Sequence, residues 1–167
     1  MSGQSKCECR QLGQSYHLGH GHHVCWHNSL YYQCQDLMQE WAYDKNIGVN
    51  PVLVPRAGKT VYWWRCKFGH EWQVSPNKRT MCNSGCPYCS NKRVCLDNCL
   101  ATTHPCSIDE WHSDNDFKPY DVTAGSERIV KWKCLKDECH VWESPICFRT
   151  ENYYSECSFC CGRRALS

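Results

Sequence analysis

Cysteine and histidine stand in closely spaced pairs along this chain, and the pairs recur. Cys66-x3-His70 is followed by Cys86-x2-Cys89. Farther on, Cys134 is followed by Cys139 and His140, and then by Cys157-x2-Cys160. The 167 residues hold 17 cysteines and 9 histidines. Two close donors on a tight turn supply half of a tetrahedral zinc shell, and a second pair closes it. Four protein donors leave no position for water, so such sites are structural. Metal binding then becomes folding free energy, on the order of 10 kcal/mol or more per site. Leu, Ile, Val and Phe are sparse here, so an aliphatic core alone is not expected to hold the chain together.

A disulfide framework is the competing explanation for so many thiols. It calls for an even cysteine count and a secretory route. The count is odd, and the first ten residues hold no apolar h-region. The expectation is a reducing intracellular compartment, cytoplasm or nucleus. No apolar run approaches the roughly 18–20 residues of a membrane span.

The chain also repeats itself with a period of about 70 residues. Val24-Cys-Trp-His-Asn-Ser-Leu30 aligns with Val94-Cys-Leu-Asp-Asn-Cys-Leu100, and Glu40-Trp41 with Glu110-Trp111. Tyr62–Cys66 aligns with Val130–Cys134, His70-x-Trp72 with His140-x-Trp142, and Arg79-Thr80 with Arg149-Thr150. This gives two tandem domains, 24–93 and 94–167, after an extension over 1–23. Each copy predicts a short helix (35–43 and 107–111) and then two strands (60–66 with 71–75, and 128–134 with 141–144). A helical turn is expected at Asn91–Arg93 and at Arg163-Arg164. The fold class expected is small α+β, stabilised by metal.

In the second copy the spacing leaves the second ligand of the first pair open between Cys139 and His140. His70 and His140 both precede a Trp by two, which favours His140. Ligand chemistry and a shorter loop favour Cys139, and the reading leans to Cys139.

These residues resemble a zinc-ribbon, or treble-clef, repeat family. The resemblance is carried by Cys86-Pro-Tyr-Cys89 with Lys92-Arg93, Leu100-Ala-Thr-Thr-His-Pro105, Glu110-Trp111, Asp121–Ser126 and Lys131-Trp-Lys-Cys134, and it covers about residues 24–164. It implies tandem treble-clef zinc domains, each a zinc knuckle, a β-hairpin and a short helix whose first turn brings the last two ligands. The ligands it implies are Cys66, His70, Cys86 and Cys89, then Cys134, Cys157 and Cys160. Relatives occur in bacteria, eukaryotes and large double-stranded DNA viruses, some beside endonuclease domains. The second copy departs from the pattern at Cys134–His140, which is two residues longer, and at Ser158-Phe159.

Weaker groupings remain. Cys7, Cys9, His17 and His20 precede the first Val-Cys-x2-Asn element as Cys86-x2-Cys89 precedes the second, which admits a third, degenerate zinc site. Cys95, Cys99, His104 and Cys106 form another grouping. The default for Cys25, Cys34, Cys82, Cys95, Cys99, Cys106, Cys147 and Cys161 is a free buried thiol. Trp63, Trp64, Trp72, Trp111, Trp132 and Trp142 are expected to pack around the metal.

Function is read from charge and from missing motifs. Residues 30–94 carry a formal +5 and residues 95–167 carry −4, within a net charge of +2. Two zinc-thiolate shells bring that total to about 0 or −1. No Gly-rich phosphate loop, Gly-x-Ser-x-Gly or Glu-x-Lys pair is present, so an enzyme is not expected. One expectation is nucleic-acid binding through Arg65, Lys67, Lys78, Arg79, Lys92, Arg93 and Arg149. The other is a rigid scaffold joining protein subunits of a larger assembly, such as a minor virion component. Neither requires a membrane or a small-molecule substrate.

Overall fold

A computed structural model describes residues 24–151 and 157–162. The chain divides into two compact units near residue 87, somewhat before the boundary read from the repeat. Asn98 explains the shift, since its Nδ2 donates to the carbonyls of Tyr88 and Arg93, each at 2.8 Å, and gathers 87–98 into one turn.

The first repeat opens with α1 (Leu30–Gln33). A 3-10 helix follows at Gln35–Glu40, where a longer helix over 35–43 was expected. Strands β1 (Tyr62–Arg65) and β2 (Glu71–Val74) form an antiparallel hairpin, and α2 (Pro76–Thr80) follows. The second repeat runs α3 (Leu100–Thr103), α4 (Cys106–Asp109), β3 (Ile129–Lys133), β4 (Val141–Pro145) and α5 (Ile146–Glu151). The sequence reading missed α2 and α5 because both are one short turn without an apolar period. Pro76 at the first helical position presets φ for α2. Asn91–Arg93 forms a turn and bend rather than a helical turn, and Arg163-Arg164 lies outside the described residues.

Register follows from the tryptophans. Trp64 pairs with Trp72, and Trp132 with Trp142. On each strand these side chains share the inner face, and all four are buried. Trp41 adds a bridge to Trp64, and Trp111 to Trp132. Their rings meet edge to face at 5.3 and 5.5 Å, the arrangement that aromatic quadrupoles favour. Trp63 points the other way. It lies half-buried on the outer face under the Lys45 ammonium rather than around the metal.

Asparagine closes the outer edge of each first strand. Asn46 donates to the Trp63 carbonyl and accepts from its N–H, at 2.8 and 3.0 Å. Asn115 does the same at Lys131, at 2.9 and 2.8 Å. A side-chain amide thus stands in for a neighbouring strand.

The repeated Arg-Thr is also part of the core. The Arg79 guanidinium lies over the rings of Trp64 and Trp72, pairs with Glu40 and donates to the Ser84 carbonyl. Arg149 lies over Trp132 and Trp142 and pairs with Glu110. Thr80 and Thr150 donate to the carbonyls of Arg56 and Ala124, each at 2.8 Å. Arg79 is 5% exposed and the Arg149 side chain 9%, so both arginines that the sequence reading nominated for phosphate are engaged in packing. Repetition of Arg-Thr reflects packing.

Replacing Arg79 by Met should destabilise the zinc-saturated protein by about 2 kcal/mol, because an ion pair to the partly exposed Glu40 and two cation–π contacts are lost together. Urea denaturation at fixed zinc measures this. A change below about 0.5 kcal/mol, the level of a surface substitution, would show the pair to be incidental.

Candidate metal centre

Each hairpin ends in two donors, and strand geometry decides which they are. Side chains two apart on a strand share a face. Cys66 therefore follows Trp64, and His70 precedes Trp72, on the inner face. Cys66 N–H donates to the His70 carbonyl at 3.0 Å, closing the turn. Gly69 makes that turn possible by adopting φ +85°.

The second hairpin is closed in the same way. Cys134 N–H donates to the His140 carbonyl, also at 3.0 Å. Its two extra residues bulge into the loop without shifting the strand register. Asp137 shapes that loop by accepting the Cys139 N–H at 2.9 Å. Cys139 is left exposed and outside the donor group. The lean toward Cys139 is thus corrected to His140. Counting back from Trp142 by two was the sequence signal that found it.

Two four-donor groups result, Cys66, His70, Cys86 and Cys89, and Cys134, His140, Cys157 and Cys160. In each, all donor atoms lie within 4.8 Å of one another. Sulfurs at the corners of a zinc tetrahedron with Zn–S near 2.3 Å stand about 3.8 Å apart. Cys134 and Cys160 Sγ are 3.7 Å apart. His140 Nδ1 lies 3.6 Å from Cys157 Sγ and 3.5 Å from Cys160 Sγ. His70 Nδ1 lies 3.5 Å from Cys66 Sγ and 3.7 Å from Cys86 Sγ. A disulfide needs about 2.05 Å, far shorter than the Cys134–Cys160 separation. The donors fit zinc. When bound, zinc supplies a four-way cross-link.

The last two donors of the first group sit on the turn after α2, not on the first turn of a helix. In the second group Ser158-Phe159 replaces Pro87-Tyr88, and the knuckle persists. The Phe159 ring stacks on the His140 imidazole at 4.9 Å and 19°, which fixes its orientation. Behind that ring, His140 Nε2 faces Asp137 Oδ2 at 3.6 Å.

The protein also prepares its thiolates. Burial pushes the Cys134 thiol up, but the N–H groups of Lys136 and Asp137 outweigh this and bring it down to about 7. The Lys136 nitrogen lies 3.4 Å from its sulfur. Cys160 is pushed up to about 11, first by the adjacent Cys134 sulfur and then by burial. Without a cation these sulfurs compete for one proton. A dication removes the competition.

The family described as "Probable Treble clef zinc finger domain" matches the chain twice, over residues 37–92 and 108–163. The chain belongs to this family. A comparison with curated proteins finds no match. Each match begins shortly before the bridging tryptophan and ends just past the knuckle, so each treble-clef copy carries its own structural zinc site.

The other sequence nominations separate clearly. Cys7, Cys9, His17 and His20 lie outside the described residues. Cys95, Cys99, His104 and Cys106 do not come together as one donor group. Cys99 is buried against Thr102 and the Leu96 carbonyl, whereas Cys82 and Cys106 are exposed rather than buried.

Zinc removal with a strong chelator should unfold both treble clefs, seen as loss of near-ultraviolet tryptophan dichroism. Cys139→Ser should leave the zinc count by native mass spectrometry unchanged, and His140→Ala should lower it by one. Asp137→Asn keeps the loop acceptor but removes the charge behind His140. It should weaken the second site about tenfold in chelator competition.

Proposed function

We propose that this protein is a non-enzymatic adaptor, a pair of zinc-stabilised treble clefs that docks protein subunits of a larger assembly. The observation supporting this is the internal use of its arginines. Arg79 and Arg149 are consumed in the tryptophan cores. Arg65 pairs with Asp44 and Glu71, and its guanidinium holds the Asp44 carboxyl below its ordinary range. Three of the seven cations nominated for phosphate are thus committed within their own repeats.

Apolar side chains face outward instead. Ile129, Leu135 and Phe148 of the second repeat are each more than 60% exposed, in the half whose formal charge is −4. A negative, apolar surface suits a protein partner better than a polyanion. Zinc shells closed by four protein donors offer no activated water, which fits a binding role. Zinc-thiolate shells of this kind suit a reducing compartment. No helix among the described residues is long and apolar enough to cross a membrane.

One observation favours nucleic acid as the second reading. Lys67, Lys78, Lys92 and Arg93 are exposed, and all belong to the stretch carrying +5. The two readings differ in their response to salt. Cross-linking mass spectrometry in the native source should recover a stoichiometric protein complex that survives high salt. Leu135→Glu with Phe148→Glu should dissociate it while keeping both zinc ions. Retention on DNA that falls steeply with salt and weakens in Lys67→Ala with Lys78→Ala would replace the adaptor reading with the second.

A further inference from the structure

The two strands of the second hairpin end in unequal edges. On β3 the outward backbone groups are taken. Lys131 exchanges hydrogen bonds with the Asn115 amide and accepts from the His112 N–H, and Lys133 N–H donates to the Glu110 carbonyl at 2.7 Å. On β4 the register decides which groups point away from the hairpin. Cys134 N–H donates to His140, and Ile146 N–H to Arg128, each at 3.0 Å. Trp142 and Ser144 are in phase with these bonds and face Trp132 and Val130. Val141 and Glu143 alternate with them, so their N–H and C=O groups turn outward. Among the described residues no group bonds these four. Such an edge is a template for another strand.

The side chains beside this edge are also unclaimed. Ile129, Lys131, Val141, Glu143 and Pro145 share the outer face of the hairpin, since residues two apart on a strand point the same way. They line a cavity of about 530 Å³. Ile129 and Glu143 are exposed there. Lys131 stands opposite Glu143 but turns its ammonium to Asp114, at 3.7 Å. The Glu143 carboxylate therefore has no ion pair among the described residues, in the half of the chain that carries −4.

The first repeat carries different side chains at the same places. Glu71 stands where Val141 does, and Lys45 and Arg65 both pair with it, which holds its carboxyl below the ordinary range. Gln73 stands where Glu143 does. An uncompensated carboxylate between two apolar outer-face neighbours is thus particular to β4.

We propose that the β4 edge binds an extended peptide as a third strand, with a lysine or arginine opposite Glu143 and apolar residues two positions to either side. Main-chain pairing supplies the general attraction, and alternate side chains supply the choice of peptide. The cation meets Glu143 as a cross-strand pair. Its apolar neighbours lie against Val141 on one side and against Pro145 and Ile129 on the other. Pro145 has no N–H, so the new ladder ends there. As the docking site for the adaptor's partner, this edge rests on that reading.

The test titrates the capped peptide Ser-Val-Thr-Lys-Thr-Val-Ser into the zinc-loaded, nitrogen-15-labelled full chain. The amide signals of Val141 and Glu143 should shift saturably, and that of Gln73 should not. Methylating the backbone nitrogen of the peptide lysine should abolish the effect, because it removes the bond to the Glu143 carbonyl and leaves the charge. Glu143→Lys, an exposed substitution, should keep both zinc ions and weaken binding about tenfold, and a peptide with glutamate in place of lysine should restore it. No saturable shift at Val141 and Glu143, an equal shift at Gln73, or undiminished binding of the methylated peptide overturns the proposal. The adaptor reading is judged separately. If Leu135→Glu with Phe148→Glu still dissociates a native complex while no peptide binds, the edge fails and the adaptor stands. If the peptide binds but no complex is recovered, the reverse holds.

Discussion

Donors placed at the turn end of a very short hairpin make the rest of this molecule possible. Two-stranded hairpins with strands of four or five residues are marginal in water. Here the inner face of each hairpin carries a cross-strand tryptophan pair and, one inner-face position farther, a cysteine and a histidine. Ion and indoles thus brace the same surface. The ion holds the turn end. The guanidinium of Arg79 or Arg149, clasped between carboxylate and rings, fastens the adjoining helix. Hydrophobic burial, charge pairing and metal ligation are therefore three parts of one arrangement, built twice from a repeated sequence.

Much of this was legible before any coordinates. Strand positions followed from β-branched and aromatic runs ending at Cys66 and Cys134. The metal groups followed from cysteine spacing, because ligand pairs need a tight turn and few sequences place so many thiols on turns by accident. The error at Cys139 came from weighing loop length above strand register. A loop absorbs added residues cheaply, whereas a one-residue slip turns every side chain to the other face. The spacing to Trp142 was the stronger constraint.

Other features left no local trace. A repeated Arg-Thr has the same sequence signature whether it meets phosphate or folds over an indole, and only the distant partners Glu40 and Glu110 distinguish the two. The amide bridges made by Asn46 and Asn115 were also hidden, because an asparagine in a loop reads as turn chemistry. Helices α2 and α5 are too short for periodicity to register. In each case the deciding contact lies across a span of chain that pattern reading does not join.

The two hairpin turns have different lengths but identical anchorage. Three residues lie between Cys66 and His70, and five lie between Cys134 and His140, yet the closing hydrogen bond measures 3.0 Å in both. Each turn also lifts an apolar side chain into solvent, Phe68 in one and Leu135 in the other. Such a fingertip projects beyond the scaffold beneath it. Its length and its exposed apolar tip can drift between duplicated copies at little cost to folding, so paralogous repeats are free to specialise there while the ligating residues and the groups that support them stay fixed.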